Sequence, residues 1–340
     1  MTRARAVRAA GAGPVIRPGR GSRGASLRLA LGLVLGVGLA GCDALPGAMQ
    51  PAPTVRPPPA PVLAPPAEPP AVSPRSAALT EYYRNLQQDL LVRGLLRTDG
   101  GGPDTPFDAW MLARNFEAIA FYNEYSTGRG LTPSRGAPVP LRRWAAPVRF
   151  SVHFGDSVPE AQRSADRRVI EGFVARLGRL TGHPAAVSRQ GNFHVFVVGE
   201  DDRPAAIEAI TRMSPQIEPA SLSVLRDLPR SIHCIVVAFS DPADPHVYTQ
   251  AVAIIRAEHP ELMRRACVHE ELAQGMGLPN DSPDARPSIF NDDEEFALLT
   301  SHDEMLLRML YDPRLRPGMT LDEARPIVRR LAAELIGGDS

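Results

Sequence analysis

Between residues 80 and 96 the apolar side chains Tyr83, Leu86, Leu90 and Leu91 recur at helical spacing, with Thr80 placed to cap the start. Gly100, Gly101 and Gly102 interrupt the pattern, and it resumes over 108–125 with Trp110, Leu112, Phe116, Ile119 and Tyr122. The two segments predict a helical hairpin packed on the domain C-terminal to it, its aromatic stripe read as core. Residues 128–140, rich in glycine and proline, read as a boundary. The period then changes. Residues 148–154 alternate like a half-buried strand, and 159–178 predict a helix that turns Val169, Ile170, Phe173, Val174 and Leu177 inward. Strands are predicted at 192–198, 231–239 and 248–256. Together these patterns give a mixed α/β (α+β) domain. His153, His194 and His233 fall inside strands, where hydrogen bonding within the sheet is the ordinary role.

The next helix carries the candidate chemistry. Glu258, Pro260 and Glu261 mark its start, since proline suits the first turn and carboxylates favour the positive end of the helix dipole. Gly275 and Gly277 permit its end, and Pro279 forbids continuation. Glu270 and Gln274 stand one turn apart on one face, with Glu271 beside them and Asn280 able to return after the glycine turn. From Glu270 the sequence runs E-E-x-x-Q-x-x-G-x-x-N. This resembles the metzincin zinc-peptidase frame H-E-x-x-H-x-x-G-x-x-H, with its glutamate and glycine kept and every histidine replaced. Residues 287–291, with Phe290 in place of methionine, resemble the metzincin Met-turn, and 299–311, with His302 and Asp303, resemble the final helix of matrixin-like peptidases. The helix is also similar to one in an uncharacterised family of bacterial lipoproteins defined as a domain of unknown function. The resemblance implies a zincin-like mixed sheet with a signature helix, over 145–336.

It also implies a metal set of Glu270, Gln274 and Asn280, with Glu271 as general base. Those donors are all oxygen, whereas zinc prefers imidazole nitrogen or thiolate. A frame read from His269 instead puts Ala273 at the second histidine and fails. The amides are therefore expected to form a polar plug with Glu271 against the turn at 288–291. The acidic run at 292–295 reads as a solvated face.

Composition changes the picture at the amino terminus. Arginines precede an apolar run over 29–40 that is shorter than the roughly 20 residues of a membrane span. The run ends in Leu39-Ala40-Gly41-Cys42, which resembles the bacterial lipobox. This predicts a signal peptide over 1–41 and a lipidated Cys42 holding the protein to the cell envelope on the periplasmic side. Asp43 resembles the inner-membrane retention signal of enteric lipoproteins. Residues 42–78 are crowded with proline, which suits an extended tether, and 79–127 form the helical preamble. With Cys42 acylated, an exported chain retains Cys234 and Cys267, an even pair expected to form a disulfide; two buried thiols are the alternative. The chain of 340 residues has 38 basic and 38 acidic residues, so no overall field points to nucleic acid. Two functions are compatible with this reading. One is an envelope lipoprotein with a non-catalytic site and no cofactor, binding an unknown periplasmic protein or peptide. The other is a divalent-metal hydrolase of the peptidase type, with Glu271 as base.

Overall fold

A computed structural model describes residues 72–337, except 126–133, 135, 216, 218, 242 and 292. Cys42 lies outside the described residues, as do its signal segment and nearly all of the tether.

The first helix, α1 (Pro74–Val92), starts earlier than its apolar pattern suggests. Ser73 caps it, accepting from the Ser76 backbone N–H, and Pro74 occupies the first turn. Thr80 instead donates its hydroxyl to the Ser76 carbonyl inside the helix. The second helix, α2 (Ala109–Ala120), is capped by Asp108 as its sequence suggests. The two do not share one packing cluster as a hairpin would. Tyr83 and Leu90 of α1 pack with Met263, Ala266 and Leu298, whereas Leu112, Phe116 and Ile119 of α2 enter the main core. The reason lies in α8 (Leu321–Gly337), against which α2 lies. That amphipathic partner was not anticipated, and it supplies the apolar face a hairpin would have supplied.

The sheet has six strands: β1 (Arg143–Trp144), β2 (Val148–Phe154), β3 (Ala185–Val187), β4 (Phe193–Val198), β5 (Cys234–Asp241) and β6 (Asp244–Arg256). β3, β2, β4 and β6 run parallel in that spatial order, β1 adds a short parallel pairing to β6, and β5 is antiparallel to β6. Between β2 and β3 the chain forms α3 (Glu160–Thr181), ended by Gly182 in the left-handed region at φ 63°. After β6 comes α6 (Glu261–Gln274), and α7 (Ser301–Leu310) lies beyond a long irregular stretch. Alternate residues of β4, β5 and β6 divide between two cores. Phe193, Val195 and Val197 pack toward Phe173, Cys267 and Leu272 of α3 and α6. Phe196 and Val198 face the other way, toward Ile207 and Ile210 of α4 (Arg203–Met213) and Leu225 of α5 (Pro219–Arg226). The strand is buried on both faces, which is why β4 reads as a nearly continuous apolar run.

Three devices fix α6. A disulfide joins Cys234, at the start of β5, to Cys267, with the Cα atoms 5.8 Å apart. Arg264 reaches both carboxylate oxygens of Asp166 on α3 at 2.9–3.0 Å. Burial pushes Asp166 upward from the usual carboxylate range, against the opposing pull of Arg264. Gly275 closes the helix beneath an aromatic ring, since a Cβ there would stand 2.4 Å from Phe193, and Trp144 donates its indole N–H to the Gly275 carbonyl.

Candidate functional site

The glutamates and glutamine of the signature helix face inward. Glu270 is 1% exposed, and Glu271 and Gln274 are wholly buried. Carboxylate oxygens of Glu270 and Glu271 and the sulfur of Cys234 lie within 4.8 Å of one another. That sulfur belongs to the disulfide and has no thiolate to offer. Gln274 donates its amide to Asp281 at 3.0 Å, and its own amide oxygen is buried with no hydrogen-bond partner among the described residues.

Asn280 departs from the expected plug. Its amide donates to the Ala118 carbonyl at 2.9 Å and its backbone N–H to the Ile119 carbonyl, both at the end of α2. The last carbonyls of α2 lack partners within the helix, and the returning chain satisfies two of them. The residue bonded to Gln274 is therefore Asp281, one position later. Sequence spacing missed it because the metzincin frame ends at Asn280. The only sequence signal was a second polar residue just after the glycine turn. At the turn itself Gly277 has φ 129°, and a Cβ there would meet the Arg142 carbonyl at 2.4 Å.

The segment 287–291 is braced from α7. Asp303, wholly buried, accepts from the Ser288 hydroxyl at 2.5 Å, from the Ile289 backbone N–H at 3.0 Å and from the Thr300 hydroxyl at 2.8 Å. It also closes the capping box of α7 with Thr300. Phe290 is buried in the main core. His302 packs edge-on to Phe107 and meets the Asn115 amide at 3.1 Å, so it turns toward α2. Within the acidic run, Glu295 is tied to Arg97 and Arg286, while Glu294 is buried with φ 63°. Only part of that run is a solvated face.

His269, next to Glu270, is buried against Phe173 with ring centroids 4.1 Å apart, and its Nδ1 accepts from the Leu299 N–H at 3.0 Å. Burial, aided by Arg176 and Arg265, lowers its pKa to about 3. It is a neutral acceptor in the fold, turned away from the carboxylates' role.

The zinc implied by a metzincin frame does not fit this site. The donor set is carboxylate and amide oxygen, its one sulfur is locked in a disulfide, and the signature histidines are absent. Access is equally poor. A cleft of about 880 Å³ lies elsewhere, between the start of α1 and α4, lined by Arg75, Glu200, Arg203, Thr211, Arg212 and Asp227 among others.

Residues 109–330, from the first turn of α2 into α8, match the model of a family described as protein of unknown function (DUF2927). The chain belongs to the DUF2927 family. The matched region holds the whole sheet, α6 and the braced turn, while α1 and the segment before it stand outside. No curated protein and no solved structure matches the chain. Among the described residues no helix is long and apolar enough to cross a membrane.

Proposed function

We propose that this DUF2927 protein is an envelope lipoprotein, anchored through Cys42 on the periplasmic side, whose zincin-like body binds a protein or peptide partner without hydrolysing it. The zincin-like reading rests on element order: a strand, a long helix, further strands with one antiparallel, and then the helix bearing the altered signature. The observation that carries the non-catalytic reading is burial. A general base must reach the proton it removes, and Glu271 is wholly enclosed, beside a helix end fixed to α2 through Asn280. The place for a partner is the cleft along α4. Its walls mix arginines and carboxylates over apolar Pro204 and Ile207, which suits a peptide segment carrying both charges.

The full chain, purified with its metal content measured, tests both parts. Its zinc content is expected to match that of a Glu270→Gln, Gln274→Ala variant, and it is expected to cleave a diverse peptide mixture no faster than the Glu271→Gln variant. On a peptide array it is expected to retain mixed-charge peptides, and Thr211→Trp, which fills the cleft, is expected to weaken that binding. Zinc lost in the Glu270→Gln, Gln274→Ala variant, together with cleavage lost in Glu271→Gln, would establish the hydrolase instead. Fatty-acid labelling that persists in Cys42→Ala would end the lipoprotein reading.

A further inference from the structure

A second polar cluster stands on the face of the sheet turned away from α3 and α6. Ser151 and His153 are two apart on β2, so their side chains emerge on one face. His194 on β4 pairs in register with Ser151. The three polar atoms form a closed triangle. The Ser151 hydroxyl oxygen lies 2.7 Å from His194 Nδ1 and 3.1 Å from His153 Nε2, and the two nitrogens are 3.3 Å apart. The His153 ring is held by stacking on Phe196, with centroids 4.6 Å apart. Ser151 and His194 are buried and His153 is half-buried, so the triangle is open from one side. Gly191 abuts it: a Cβ there would stand 2.6 Å from the Arg149 carbonyl oxygen and 2.7 Å from the Ser151 nitrogen and hydroxyl oxygen, so the chain passes this close to Ser151 only as glycine.

We infer that Ser151, His153 and His194 form a binding site for a divalent zinc-class ion, in which the two imidazole nitrogens are ligands and the serine hydroxyl is a third, weaker oxygen donor. Bond lengths of about 2.0–2.1 Å to a tetrahedral zinc ion put two imidazole nitrogens about 3.3–3.4 Å apart, which is the separation seen here. Hydrogen bonding alone explains the triangle less completely. The hydroxyl has one proton to give to His194, and His153 can donate one to the hydroxyl oxygen. The approach of nitrogen to nitrogen then has no proton of its own. A neutral imidazole has one ring nitrogen without a proton, so each ring can present a lone pair to a shared ion. This site is independent of the proposed partner cleft and of the altered signature helix. It uses the nitrogen ligands that the helix lacks.

Zn²⁺ calorimetry and Co²⁺ absorption on the chelator-treated full chain test the inference, with Cys42→Ser removing the one cysteine outside the disulfide. One equivalent of Zn²⁺ is expected to bind, and Co²⁺ to give the visible bands of a four-coordinate site with mixed nitrogen and oxygen donors. His153→Ala and His194→Ala are each expected to weaken Zn²⁺ at least about tenfold, and Ser151→Ala less, while Glu270→Gln leaves binding unchanged. Because His194 is buried, the half-exposed His153→Gln variant keeps the test decisive if His194→Ala does not fold. Absence of saturable binding, or binding that survives both His153 substitutions, would reduce the triangle to a hydrogen-bonded part of the sheet.

Discussion

Glu270, Glu271 and Gln274 occupy the layer beneath α3 and α6, whereas Ser151, His153 and His194 rise from the opposite face of the same sheet. The first cluster has the spacing of a metal site but only oxygen donors, and the fold seals it. The second has no recognisable spacing, yet it brings two imidazole nitrogens to 3.3 Å in a part-buried position. The two clusters thus differ in donor chemistry and in burial: oxygen donors, wholly enclosed, on one face, and imidazole nitrogens, one of them on a part-exposed ring, on the other.

The largest expected effect sharpens the contrast by loosening one face only. The Cys234–Cys267 bridge closes 33 residues and ties β5 to α6 on the sealed side. The chain-entropy account gives about 3–4 kcal/mol for a loop of that size. The Cys234→Ala, Cys267→Ala double variant is thus expected to lose about 3 kcal/mol in chemical denaturation, with a steeper slope because its unfolded chain is less constrained. Its Zn²⁺ affinity at the histidine pair is expected to match that of the bridged protein. A variant as stable as the parent would show that packing alone holds α6.

A smaller effect is expected inside the sealed cluster. Gln274→Ala removes the amide that donates to Asp281 and leaves a buried carboxylate oxygen without it. Such losses cost about 1–3 kcal/mol. The matched change Asn280→Ala removes the bond to Ala118 at the end of α2, in a part-buried position, and is expected to cost less. Equal losses at the two positions would mean that the motif's two amides act as one unit after all.

These particulars separate what was legible in the sequence from what was not. α3, α6 and strands β2 and β4 followed from their own periodicity, because each buries a pattern that lies within one segment. The cysteine pair was legible from counting, once export was supposed. α4, α5 and α8 were not read, and with α8 unread the helical hairpin was a natural but mistaken expectation. Asp281 and the histidine triangle were illegible for one shared reason. Each depends on where two separate segments meet: the turn after α6 in one case, the register of β2 against β4 in the other. A shift of one residue in that register would send His194 to the other face.

The smallest effect is a slope rather than a step, and it separates the two faces by pH. His269 titrates near pH 3 in the fold and near 6.5 unfolded, because burial and the nearby Arg176 and Arg265 disfavour its charged form. The unfolded chain therefore binds the extra proton between those values. Stability from this group is complete above about pH 6.5 and is lost progressively as pH falls toward 3. His194, lowered to about 4, acts in the same direction over a narrower window on the other face. Denaturation midpoints measured from pH 7 to pH 4 should decline for the parent chain. His269→Gln, which keeps an acceptor for the Leu299 N–H without a titrating ring, should flatten most of that decline, and His194→Gln should flatten less of it. Zn²⁺ added at pH 7 would widen the difference, since an ion bound only to the folded His153 and His194 stabilises the fold by mass action and is released as those rings protonate. A zinc-dependent rise in midpoint that persists in His194→Gln would place the ion elsewhere and remove the contrast between the two faces.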